Sequence, residues 1–320
     1  MASNLVKLGL AVGFGAFIGP LIQPAVLTHL SAYDIQPYLP FKLDQLLPVS
    51  FNLDHLLNRR SSSSSASSTP STEPTTCPPH NYTTQVISFS PLLIYITSFL
   101  APSEASSIIS LGEPLLEPSP ITGYGRGRGG SSSTLSGTRT SWSAPLHPSS
   151  SQPNHVINCI LSRAQSFMGT LLSPGRDEMG LPQLVRYTAG QKFDLHTDWF
   201  LKPRIDDLDL ESGRQRLYNR VATFFVVLQA NHTSGGETWF PKVGVVTPQD
   251  RERDKDKRVW REHEDGGLAF KAVPGGALFW LNLLPNGTGD PRTVHAGLPV
   301  EGGVKYAMNI WPRAFFGPDA

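Results

Sequence analysis

The sequence predicts an all-β core with flanking helices, a barrel or jelly roll, and three observations carry the prediction. Short runs of β-branched and aromatic residues recur after Gln183, turns of glycine and proline separate them, and only two earlier segments read as helical. The expected strands are Leu184 to Tyr187, Lys192 to Asp198, Thr223 to Gln229, Leu268 to Ala272, Ala277 to Leu283, Thr293 to His295 and Lys305 to Trp311. Pro91 to Leu100 is a further apolar, β-rich run.

The first helix opens at Pro102-Ser-Glu-Ala, where a proline fits because the first turn needs no N–H partner. In the second, Val156, Ile157, Ile160, Leu161, Ala164, Phe167, Met168 and Leu171 recur at steps of three and four and form one apolar face. Gly123 to Ser151 is rich in Gly, Ser and Pro and is expected to be a long loop. Trp199 to Arg220 carries Arg204, Asp206, Asp207, Asp209, Glu211, Arg214 and Arg216 and reads as a surface loop, either a solvated excursion or a lid over a substrate. Arg251 to Arg258 is too polar for a strand and reads as a solvated loop. The paired glycines of Gly235-Gly-Glu-Thr predict a tight turn, with Glu237 a candidate supporting side chain.

The chemistry-bearing residues are His196, Asp198, His295 and Lys305. In Lys192-Phe-Asp-Leu-His-Thr-Asp198 the polar residues alternate with Phe193 and Leu195, so a strand would put His196 and Asp198 on one face. Two ligands from one strand and a distant histidine make a facial triad with open positions. That set suits Fe(II), whose reactant and O2 need vacant sites, whereas four closed ligands would mark structural zinc. Lys305 follows His295 by ten residues, and a buried ammonium there needs a carboxylate, which a dicarboxylate co-substrate would supply. The remaining histidines lack ligand spacing.

In order along the chain stand Arg186-Tyr-Thr-Ala-Gly-Gln191 with His196-Thr-Asp198, Gly235-Gly-Glu-Thr-Trp-Phe-Pro241, Pro274-Gly-Gly-Ala-Leu-Phe-Trp280, and His295-Ala-Gly-Leu-Pro-Val300 with Lys305 and Trp311. This set resembles the iron- and 2-oxoglutarate-dependent dioxygenases, and within them the prolyl 4-hydroxylases, over about residues 90 to 313. Arg139-Thr-Ser also resembles a family tripeptide that precedes the second helix. The resemblance implies a double-stranded β-helix (jelly-roll) barrel, with His196, Asp198 and His295 as iron ligands and Lys305 on the distal carboxylate of 2-oxoglutarate. Tyr187 would give its hydroxyl to the same co-substrate, the other reading being a core tyrosine with a satisfied hydroxyl. The implied reaction consumes O2 and 2-oxoglutarate, releases succinate and CO2, and hydroxylates peptidyl proline at carbon 4, with ascorbate as reductant. The same chemistry on another side chain or a small molecule, or a metal- or peptide-binding barrel without turnover, are the rival readings. Phe193 stands where the family usually has tyrosine, and Leu298 where it often has cysteine.

At 320 residues and 39% hydrophobic content the chain can hold one large domain, expected over 85–320, plus appendages. A net charge of +1 leaves no basic stripe, so a nucleic-acid partner is not expected. Leu8 to Leu27 is uncharged and long enough to span a bilayer, which makes residues 1–30 a signal-anchor candidate; Pro20, Gln23 and Pro24 leave a cleaved signal or a soluble amphipathic segment as alternatives. Residues 31–84, with the Ser- and Thr-rich stretch from Ser61 to Thr76, read as a disordered tether. Lys7 before the apolar run and sequons at Asn81, Asn231 and Asn286 fit an endoplasmic reticulum location with the domain in the lumen. Cys77 and Cys159 allow one bridge, but Cys77 lies in the linker and Cys159 on the apolar side of a helix, so two free thiols are the expectation.

Overall fold

The computed structural model describes residues 77–119, 139–147, 155–231, 234–244, 258–317 and 319–320. The anchor candidate, most of the tether and most of the Arg251 to Arg258 run fall outside the described residues. Among the described residues, no helix is long and apolar enough to cross a membrane.

One antiparallel sheet of eight strands dominates, in the order β1 (Thr83–Phe89), β2 (Leu92–Thr97), β15 (Ala277–Leu281), β10 (Ala222–Asn231), β18 (Val304–Ile310), β6 (Gln183–Thr188), β4 (Trp142–Pro145) and β3 (Glu117–Pro118). A second sheet of five runs β13 (Trp260–Glu262), β14 (Leu268–Phe270), β12 (Thr238–Phe240), β16 (His295–Gly297) and β7 (Phe193–His196). The two-stranded pair β11 (Ser234–Gly235) and β17 (Val300–Glu301) lies in the same part of the chain. The sheets are antiparallel, as a jelly roll requires, but do not join into a closed barrel.

Alternation along β10 explains how the layers stack. Phe224, Val226 and Leu228 belong to a core shared with Ile108, Ile157, Ile160 and Ala164 of the helices α1 (Pro102–Gly112) and α2 (His155–Met168). Phe225, one residue out of phase, joins Leu278 and Trp280 against Phe240, Leu268 and Phe270 of the five-stranded sheet. Seven successive residues of β10 from Ala222 are therefore buried, the near-continuous apolar run of a strand covered on both faces. Glu104 fastens the helices together: it accepts from the Ala101 N–H at the start of α1 and from both terminal nitrogens of Arg163 on α2, at 2.8 and 2.9 Å.

Three expectations need correcting. Trp199 to Arg220 is not a plain loop: β8 (Arg204–Ile205), α3 (Asp207–Glu211) and β9 (Leu217–Arg220) fold it onto β19 (Pro312–Phe316), with β5 (Glu178–Met179) completing a four-stranded sheet. Two of its carboxylates are held in place: buried Asp209 takes three hydrogen bonds from Arg216, and Asp206 caps α3 and accepts from Arg313. The expected loop from Gly123 to Ser151 contains β4, too short for a periodic signal. Finally, Cys77 and Cys159 form a disulfide rather than two free thiols. Exposed Cys77 is brought beside the otherwise buried Cys159 of α2, a long-range contact that linker composition could not reveal.

That bridge closes a sequence separation of 82 residues. Thiol titration of the denatured, unreduced protein is expected to find no free cysteine, and Cys159→Ser is expected to lower unfolding free energy by about 2–5 kcal/mol in urea melts. A full complement of two reactive thiols would overturn the pairing.

Candidate metal centre

Antiparallel pairing of β7 with β16 sets His196 directly opposite His295, so the two rings, far apart in sequence, stand 4.2 Å apart. Asp198 lies two residues past the end of β7 and not within the strand as expected. Its carboxylate nevertheless joins the pair, with Oδ1 3.8 Å from His196 Nε2 and Oδ2 3.9 Å from His295 Nε2. One ligand atom from each residue falls within 4.8 Å of the others.

The hydrogen bonds aim these atoms. His196 Nδ1 lies 2.8 Å from the Asp194 carbonyl and His295 Nδ1 3.0 Å from the Thr293 carbonyl. A carbonyl only accepts, so Nδ1 carries the proton in both rings and each Nε2 lone pair faces the centre, the arrangement metal-binding histidines use. Asp198 Oδ2 accepts from Thr223 Oγ1 at 2.8 Å and from Trp311 Nε1 at 3.1 Å. Burial, then the neighbouring His295, holds the His196 pKa down to about 3, so the ring is neutral and ready to coordinate. Burial alone would raise the Asp198 pKa, but the two histidines, Arg220 and the Trp311 donor outweigh it and keep the group below the ordinary carboxylate range. Two imidazoles and one carboxylate on one side of a cavity fit a divalent iron and leave its other side open.

The cavity beside the triad measures about 370 Å³ and is lined by Tyr187, Phe193, Phe225, Thr238, Arg139 and Arg220 among others. Arg220 stacks 3.6 Å over the Trp311 ring and donates to the Asp198 carbonyl; burial lowers its pKa to about 10, so it stays charged at neutral pH. Phe193 stacks on His196 with centroids 3.6 Å apart and has the Arg139 guanidinium 4.6 Å from its ring, so it braces the ligand instead of facing away from it. Leu195, between the two, is exposed.

Lys305 lies behind Tyr187 and Phe225, its ammonium 5.5 and 4.9 Å from their ring centres, and is 2% exposed. It pairs in register with Tyr187 and donates to the Gly236 carbonyl at 2.6 Å. Among the described residues no carboxylate lies within ion-pair distance of it. Burial lowers its pKa to about 8, partly offset by Glu237, which itself pairs with Arg261. The glycine turn thus has a task beyond shape: Gly235 and Gly236 both have positive φ, and a Cβ on Gly235 would lie 2.2 Å from the Pro299 carbonyl oxygen. Tyr187 is buried with Ser141 as hydroxyl partner, and burial raises its pKa.

Of the other histidines, His155 sits against the disulfide, His263 stacks on Trp239, and His80 bonds the Ser98 carbonyl, none near the triad. Arg139, Arg220, Trp311 and Thr223 adjoin the site without having been assigned roles from sequence. The readable signal was Thr223, a hydroxyl in an otherwise apolar stretch of β10.

A metal-binding oxygenase of jelly-roll type is what this arrangement defines, and the model of the 2OG-Fe(II) oxygenase superfamily matches residues 182–313. That match makes residues 182–313 a 2OG-Fe(II) oxygenase domain, a type of domain that uses Fe(II), 2-oxoglutarate and O2. It is 29% identical over 234 residues to Prolyl 4-hydroxylase 1 of Arabidopsis thaliana, covering 73% of this chain and 72% of that protein. It is 37% identical over 129 residues to Probable prolyl 4-hydroxylase 6 of the same plant, 40% of each chain. Among solved structures, the viral collagen prolyl hydroxylase of Paramecium Bursaria Chlorella virus-1 aligns with a TM-score of 0.46 at 23% identity, over 69% of this chain and 96% of that one.

Alanine at His196, Asp198 or His295 is expected to abolish tight Fe(II) binding while circular dichroism stays that of the folded protein, because each change removes a ligand and no large apolar group. Asp198→Glu displaces the carboxylate by about 1 Å and is expected to cost on the order of a hundredfold in rate. Retained stoichiometric iron in any of the three alanine variants would remove that residue from the set.

Proposed function

We propose that the chain is a prolyl 4-hydroxylase, an Fe(II)- and 2-oxoglutarate-dependent dioxygenase that hydroxylates carbon 4 of proline in a peptide or protein and uses ascorbate as reductant. The observation that carries the chemistry is the triad of half-buried His196 with buried Asp198 and His295, together with a buried cation, Lys305. The substrate follows from similarity over most of its length to plant prolyl 4-hydroxylases.

In this reading His196 Nε2, Asp198 Oδ1 and His295 Nε2 hold the iron, which when loaded supplies the oxidative decarboxylation of 2-oxoglutarate to succinate and CO2 coupled to C–H hydroxylation. Lys305 holds the far carboxylate, with the Tyr187 hydroxyl beside it. The aromatic walls of Tyr187, Phe193 and Phe225 exclude water and orient the reactants, which is how a protein contributes to cofactor-borne chemistry. The apolar segment 8–27 and the sequons support a luminal enzyme on an endoplasmic reticulum anchor, residues 1–30, joined by the tether 31–84. A disulfide fits that oxidising compartment, and the three sequon asparagines are exposed.

Incubation of the protein with Fe(II), 2-oxoglutarate, ascorbate and proline-containing peptides is expected to give succinate and a gain of about 16 Da on proline, the mass of one inserted oxygen atom. Succinate without a peptide product would move the substrate to another side chain or a small molecule, and absence of both would end the proposal. Lys305→Ala leaves a buried carboxylate unpaired, about 3–5 kcal/mol, so the half-saturating 2-oxoglutarate concentration is expected to rise roughly 10²- to 10³-fold, with partial recovery in Lys305→Arg.

The pH dependence has a definite sign. Protonated lysine is the form that pairs with a carboxylate, and in the free protein it is lost as pH climbs through about 8. Affinity for 2-oxoglutarate is expected to be full below about pH 7 and to fall roughly tenfold per unit well above 8, while Lys305→Arg flattens the profile. Calorimetric titrations from pH 7 to 9.5 measure it, and an equally flat wild-type profile would contradict the assignment.

A further inference from the structure

The triad rests on a second, buried layer. Thr223 on β10 and Asn282, one residue beyond β15, are both fully buried. Asn282 Nδ2 donates to Thr223 Oγ1 at 2.8 Å, and Thr223 Oγ1 donates to Asp198 Oδ2 at 2.8 Å. The direction is fixed by chemistry: an ionised carboxylate only accepts, so the single hydroxyl proton of Thr223 points at Asp198, and its oxygen toward Asn282 can only accept, which an N–H meets. Turning the Asn282 amide over would present Oδ1 instead, and the hydroxyl would have to choose between two acceptors. As placed, Asn282 Oδ1 has no hydrogen-bond partner among the described residues, so the amide gives up one bond to keep its donor on Thr223. The backbone holds Asn282 from both sides, through its N–H to the Val221 carbonyl and its own carbonyl to the Asp290 N–H.

With the Trp311 indole also donating to Oδ2, both acceptor directions of that oxygen are used. The carboxylate then has only Oδ1 for a metal, on the side of His196. Valine would match threonine in shape and belongs in a strand buried on both faces, so a hydroxyl at this position calls for an acceptor. The acceptor is Asp198.

We infer that Asn282 and Thr223 are positioning residues, a directional donor relay that selects which oxygen of Asp198 faces the metal and thereby sets metal affinity and coordination geometry. The inference rests on the metal reading of the triad.

Co(II) serves as probe, its affinity read by titration and its ligand geometry by visible absorption, both without turnover. Thr223→Val is expected to raise the Co(II) dissociation constant by about 10- to 100-fold, the usual effect of losing a partner behind a metal ligand, and to alter the Co(II) spectrum. Thr223→Ser restores the hydroxyl and is expected to stay within about threefold of wild type. Asn282→Leu is expected to weaken binding by less than Thr223→Val, and to add nothing in the double variant, because it acts only through Thr223. Wild-type affinity and spectrum in Thr223→Val, whatever its melting temperature, would overturn the relay, as would additive losses in the double variant. If Thr223→Val does not fold, Asn282→Leu beside Thr223→Ser decides: unchanged Co(II) binding in Asn282→Leu overturns the relay, and weakened binding with the serine variant near wild type supports it. Failure of the wild-type protein to bind Co(II) would instead strike the metal reading itself.

Discussion

The pairing of His196 with His295 across β7 and β16 is the constraint on which the rest depends. Antiparallel neighbours that face each other point their side chains to the same side, so once these strands are in register the two rings must share one space. The register is itself held from the far side, because β16 also pairs with β12, placing Trp239 beside Ala296 and Thr238 beside Gly297. Phe240 and Trp280 then pack on the His295 ring at 5.3 and 4.8 Å, so an apolar core presses on one ligand while Phe193 presses on the other. A slip of one residue between the two strands would put the rings on opposite faces.

Polar groups around the triad are ordered by the same logic, each aimed by a partner that can do only one thing. Two carbonyls fix the histidine protons, and an acceptor-only carboxylate fixes the hydroxyl of Thr223. Lys305 is placed differently. Its ammonium finds a single carbonyl and the faces of two rings, too little to compensate a buried charge, and its lowered pKa follows from that deficit.

Much of this was legible before any coordinates. The second helix was written in its period, and Ile157, Ile160, Ala164 and Met168 are buried as that period requires. Strands such as β10, β15 and β18 stood out because their apolar and aromatic runs, bounded by turn residues, suit a pleated, buried surface. His196, Asp198 and His295 do converge, although β7 ends before Asp198 and a turn supplies the last ligand. What escaped was whatever depends on a partner remote in the chain. The charged insertion looked soluble because the sequence does not reveal that Asp209 would meet Arg216 inside a small sheet, and β12 and β13 have three residues each, below any periodic signal. Asn282 is invisible for the same reason, since its neighbour Thr223 lies on another strand.

The disulfide changes what a broken chain would mean. Cys77 precedes the first strand, while Cys159 lies in the middle of the helix that covers the main sheet. A backbone cut between α1 and α2 would leave two fragments still joined through sulfur, the first carrying β1, β2 and α1 and the second carrying all three members of the triad. Such a nicked molecule would run as one species until reduced, so its integrity on a non-reducing gel and its integrity as a polypeptide are separate properties.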